Sequence, residues 1–180
     1  LIIENIPYPF SGMVPSGAST GKFEALELRD GDKSRMGGKG VLTAVSNVNN
    51  EIKPQILSKE FSDYKEFDNF LIDLDGTENK SKFGANAILS ISLAFYKAWS
   101  YLNGGATFLS QGVDNLIIPV PMLNVINGGQ HADNDVDFQE FMILPIGFPS
   151  LKEALSSTHQ VISNIKKDLK NKSLNTNLGD

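Results

Sequence analysis

The 180 residues carry 16 Lys and Arg against 21 Asp and Glu, a formal charge of −5, with 41% hydrophobic residues and 21% charged. This is the composition of a globular chain able to bury one sizeable core or two small ones, and it lacks the clustered Lys and Arg that phosphate neutralisation requires. Without cysteine there is no disulfide framework and no thiolate metal site. No membrane span is expected either, since the most apolar stretch, 83–102, is interrupted by Asn86, Ser90, Ser92 and Lys97.

Residues 1–13, with Pro7, Pro9 and Gly12, fit no element. The chain starts without Met, has no signal-peptide pattern and stops at Leu178-Gly179-Asp180, which reads as a fragment. A loop rich in Gly and Ser, 15–21, precedes an alternation around Leu26 and Leu28 that predicts a short strand, with a turn at Gly31 supplying a positive φ. Val41, Val45, Val48, Ile52 and Ile56 then recur at helical spacing, and Pro54 should end or kink that helix near Lys53. A second amphipathic helix is predicted over 64–74, stopping at Asp75-Gly76-Thr77. A third, over 81–102, is apolar nearly all round, belongs in the centre of a core and ends at Gly104-Gly105.

After Gly112 the pattern changes. Segments 117–126 and 138–146 read as strands, and the connection between them has no room for a helix, so they should pair antiparallel. Ser150-x-x-Glu153 is a capping box, opening a helix with Leu151, Leu155, Ile162, Ile165 and Leu169 on one face. Two strands and one helix cannot close a core, so this half looks like the opening of something larger.

Two motifs fail on inspection. Only three residues separate Gly17 from Gly21, and Phe23 stands where a P-loop needs Ser or Thr. Asp133, Asp135 and Asp137 start like an EF-hand, but Phe138 takes the glycine position and Leu144 the glutamate position. The Gly- and Ser-rich loop over 17–22 can still cover a ligand and offer hydroxyls or carbonyls to a hard cation. His159, mid-helix among aliphatic residues, suits packing or a surface. His131, in a Gly-rich connection between strands, is the histidine a scaffold would present to a ligand. Gln139 and Glu140 can share a site with it only if they lie at the irregular start of their strand, because regular alternation sends them to opposite faces.

Taken together, 14–21, 24–32, 38–41, Asp75-Gly76-Thr77, 79–81, 84–89, Asn127-Gly128-Gly129, 131–134 and 139–143 resemble enolase, the phosphopyruvate hydratase family of glycolysis. The resemblance implies an α+β N-terminal domain, 1–112 with 1–13 divergent, followed from 115 to 180 by the opening ββα portion of a (β/α)8-like barrel, incomplete. Such a barrel takes about 250 residues, of which roughly 65 are here. It implies a cytoplasmic, Mg²⁺-dependent hydro-lyase that interconverts 2-phosphoglycerate and phosphoenolpyruvate, as a homodimer or higher oligomer. Nucleic acid and membrane are not among the expected partners, and cell-surface binding of host proteins stays open.

By the same resemblance Ser19 would bind the second, substrate-associated Mg²⁺. His131 and Gln139 would bind substrate, and Glu140 would serve both binding and catalysis at the leaving hydroxyl. The family's Arg-Gly-Asn-Pro-Thr-Val-Glu hairpin is not recognisable in 1–13. The proton donor, the catalytic Lys and the carboxylates of the first Mg²⁺ are not among the 180 residues, so the chain alone is expected to be inactive. The alternative is a non-catalytic interaction fragment or the remnant of a broken gene.

Overall fold

The computed structural model describes residues 9–17, 19–57, 59–105 and 117–174. Packing divides the chain into two compact units, Leu1–Asp114 and Asn115–Asp180.

In the first unit the helices are α1 (Leu42–Ser46), α2 (Lys53–Ile56), α3 (Tyr64–Asp75) and α4 (Ala85–Leu102). Between α1 and α2 the helix does not stop. Asn47–Ile52 forms a π-helical turn in which the Lys53 N–H reaches back to the Val48 carbonyl, five residues away. Of the two outcomes expected near Lys53, an end or a kink, the end does not occur. The wide turn shifts the bonding register just ahead of Pro54, so its ring and missing N–H disrupt no regular i→i−4 ladder. Remote capping helps: Asp30 accepts the N–H groups of Leu42 and Thr43 at 2.9 and 2.8 Å, and these bonds hold its carboxyl below the usual range.

Helix α3 starts where Asp63 accepts the Glu66 N–H at 2.8 Å while Glu66 accepts the Ser62 N–H at 2.8 Å, a reciprocal pair that satisfies open donors. It ends as expected at Gly76, whose φ of 67° few other residues adopt cheaply. Helix α4 starts four residues later than predicted. Polar bonds compete with the helix there: Thr77 Oγ1 accepts the Ser81 N–H, and Asp75 accepts the Phe83 N–H.

The core of this unit is Ile52, Phe67, Leu71, Phe83 and Ile88, with Phe61, Phe70 and Phe95 packed around it. Phe67 and Phe95 stack with centroids 3.9 Å apart, and Phe61 meets Phe67 edge-on at 4.9 Å. Burying each such side chain is worth about 1.5–3 kcal/mol, which is why these helices hold together without a large sheet.

The expected strand at Leu26 and Leu28 does not form: among the described residues this segment pairs with no other strand. Its backbone is satisfied by other groups. The Leu26 N–H donates to the Asn79 carbonyl, the Ala85 N–H donates to the Leu26 carbonyl, and the Asn86 side-chain amide bonds both polar groups of Leu28. Gly31 takes a φ of 72°, as its turn requires.

The second unit holds β1 (Leu123–Asn127), β2 (Glu140–Ile143) and α5 (Leu151–Asn171). The strands are antiparallel, as expected, though shorter than the apolar runs that contain them. A single 3₁₀ turn, Gly129–His131, lies in their connection. Ser150 caps α5 by accepting the Glu153 N–H at 3.2 Å. The helix's covered stripe differs from the expected one. Ala154 and Thr158 are buried, with Ile162, Ile165 and Leu169 partly so, while Leu151 and Leu155 are exposed to one side. Small side chains at Ala154 and Thr158 allow closer approach than leucines would.

Candidate functional site

Register decides which side chains of the hairpin share a face. Leu123 pairs with Ile143 and Asn124 with Met142, but Ile126 pairs with Phe141 and Asn127 with Glu140. Val125 is therefore an extra residue, a β-bulge, and it is buried. In a regular strand Asn124 and Asn127 would point to opposite faces. The bulge puts them on the same face as Met142 and Glu140.

The two asparagines touch there, the Asn124 Nδ2 donating to Asn127 Oδ1. The Asn127 carbonyl accepts the Asn134 amide at 2.9 Å, and Asn134 Oδ1 accepts the Val136 N–H at 3.0 Å. Gly128 N–H reaches the Gln139 carbonyl at 3.0 Å, and Gly129 N–H the Val136 carbonyl at 2.7 Å. A Cβ on Gly128 would lie 2.4 Å from both the Phe138 and Val136 carbonyl oxygens, so only glycine fits. The connection is thus tied down along its length.

His131 and Gln139 meet on this frame. Their Nε2 atoms are 2.6 Å apart, the His131 N–H bonds the Gly128 carbonyl at 3.0 Å, and the ring is half-buried. The Gln139 Nε2 is a donor, so the ring nitrogen facing it can accept only in the tautomer that carries its proton on Nδ1. Glu140, the first residue of β2, is exposed. Gln139 lies just outside the ladder, so the alternation that would separate it from Glu140 does not apply to it. His159 is exposed on α5, away from any ladder or turn.

Sequence reasoning missed Asn124, Asn127 and Asn134. An Asn-x-x-Asn spacing signals nothing in a strand until a bulge restores the shared face. Asn124 also leaves its Oδ1 buried with no partner among the described residues, a situation that costs about 1–3 kcal/mol.

Family models match both parts of the chain. The model described as the enolase N-terminal domain matches residues 5–108, and that of the enolase C-terminal TIM barrel domain matches 115–180. The chain belongs to the enolase family. Its fold is an enolase N-terminal domain followed by a partial barrel, consistent with the β1–β2–α5 order of the second unit. Among the described residues no helix is long and apolar enough to cross a membrane.

Enolases imply Mg²⁺, but the described residues do not make a cation site of their own. Among those described, no three His, Asp or Glu side chains come together. Ser19, half-buried in the loop of the first unit, offers one hydroxyl, whereas a hard cation of this kind takes six oxygens. Clefts of about 380 and 740 Å³ open among the described residues of the first unit, and neither is lined by Ser19. The larger is walled mostly by apolar side chains such as Phe61, Phe67 and Phe95, which carry no acid–base chemistry.

Proposed function

We propose that the chain supplies substrate-side groups of an enolase-type hydro-lyase, for the reversible dehydration of 2-phosphoglycerate to phosphoenolpyruvate in the glycolysis of the cytoplasm. The observation that carries this reading is the 2.6 Å contact between His131 and Gln139 on a tied-down connection, one residue from Glu140. The hard part of such a reaction is removing a proton α to a carboxylate and then expelling hydroxide. Glu140 would hydrogen-bond the departing oxygen and help it leave as water. His131 and Gln139 would hold the substrate in place, each fixing the orientation of the other. Ser19 would contribute one oxygen to a substrate-associated Mg²⁺ whose other ligands come from elsewhere. Assembly with a second copy of the family's N-terminal domain belongs to the same reading.

The 180 residues alone would not turn over substrate, because the groups that abstract the α-proton and hold the ene-diolate charge are not among them. The alternative, an interaction fragment, draws support from exposed apolar side chains of the second unit, with Phe138 at 71% and Ile146 at 73% exposure. The assay follows the enol product by absorbance with excess Mg²⁺. No turnover is expected from the 180-residue chain, and dehydration is expected from a chain extended by a complete barrel. Turnover by the homogeneous short chain overturns the inactivity, and an inert extended chain overturns the enolase reading.

A further inference from the structure

We infer that Asn124 is a positioning residue for the His131–Gln139 pair, acting through Asn127. The inference rests on the reading of that pair as substrate-side groups, but its geometry stands apart from any reaction. Asn124 sits mid-strand between Leu123 and the buried Val125, where an aliphatic side chain would pack without leaving an unpaired oxygen. Its amide instead donates to Asn127 while its own Oδ1 stays buried with no partner among the described residues. Stability alone does not account for an amide at this position.

What the amide does is hold the last residue of β1. From Asn127 a continuous series of bonds runs through the Asn134 side chain to the Val136 N–H, and from the Val136 carbonyl to the Gly129 N–H. Gly129 opens the 3₁₀ turn that carries His131, and the Gly128 N–H bonds the Gln139 carbonyl. Both members of the pair are therefore set by the position of 127–129. Releasing the Asn127 side chain loosens the point from which the ring and the amide are aimed at each other.

The test reads the imidazole tautomers of the 180-residue chain by ¹⁵N chemical shifts, about two pH units above the ordinary histidine value of about 6.5. His159, exposed on α5, is the internal standard for an unconstrained ring. The parent chain should show His131 in a single tautomer and His159 as a mixture. In Asn124→Val the His131 pattern should move to that of His159, with the thermal midpoint unchanged or raised. Asn124→Asp should recover the single tautomer, because its carboxylate accepts from the Asn127 amide turned over. A mixed His131 in the parent overturns the proposal, as does a single tautomer kept in Asn124→Val. If Asn124→Val loses the fold, Asn124→Asp decides: a single tautomer upholds the proposal and a mixed ring overturns it. None of these readings involves substrate, so failure of the enolase reading shows separately, as an inert extended chain.

Discussion

Asn86 bonds Leu28 at both of its backbone groups: the Leu28 N–H donates to Asn86 Oδ1 and the Asn86 Nδ2 donates to the Leu28 carbonyl, each at 3.1 Å. A side chain in the first turn of α4 thus takes the place of a neighbouring strand, across 58 residues of sequence. Asn86→Ala removes both bonds and should cost about 1–3 kcal/mol in urea unfolding. Asn86→Asp is the more specific probe. Its carboxylate accepts from Leu28 but cannot donate, so it must be neutral to fit. The deficit relative to the parent should be largest near neutral pH and narrow as pH falls towards about 4. A deficit that does not change with pH would count against the bidentate pairing.

Asp75 gives the opposite sign. Burial pushes its carboxyl up, yet bonds from the Thr77 hydroxyl, the Phe83 N–H and the Thr77 N–H outweigh this and leave it below the ordinary value. A depressed folded-state value means that the stabilisation is complete above the unfolded value of about 3.9 and is lost as pH falls through the folded one. Asp75→Asn turns a donor towards the Phe83 N–H and should cost about 1–3 kcal/mol at neutral pH. Its stability should also fall less steeply than the parent's between about pH 4 and pH 2. Parallel curves would show that Asp75 does not carry the acid sensitivity.

Gly128→Ala drives a methyl group into two carbonyl oxygens that belong to backbone and cannot swing aside. Overpacking of this kind costs about 1–3 kcal/mol, and the connection between β1 and β2 should distort with it. Hydrogen exchange at Gly129 and His131 is the readout. Protection equal to that of the parent would mean that the turn relaxes more freely than its contacts imply.

In a chain extended by a complete barrel, Glu140→Gln should lower kcat by a factor on the order of 10² while changing KM less, the pattern of a group that acts in the transition state. Steady-state kinetics on the enol product checks this. An unchanged kcat would leave Glu140 as a solvated strand residue, in keeping with its exposure. His159→Ala should leave kcat intact.

Local physical chemistry, read directly from the residues, determined the course of α3 and α4 from their apolar spacing, the Ser150–Glu153 cap, the stop at Gly76 and the antiparallel pairing of two apolar runs, but not the start of α4. The helical features depend on residues within a turn or two of one another, and the pairing on a connection too short for a helix, so period, chemistry and spacing suffice. The helix's passage past Pro54 was not legible, because a π turn is a choice of bonding register rather than a composition. Nor was the partner of Leu28, since nothing local announces an amide 58 residues away. At the hairpin, His131, Gln139 and Glu140 stood out by residue type and by family likeness, whereas Asn127 was only part of the Asn127-Gly128-Gly129 motif, with no role of its own, and Asn124 was not singled out at all. Only the bulge at Val125, fixed by how β1 meets β2, turns the two asparagines to one face and makes them part of the frame beneath His131.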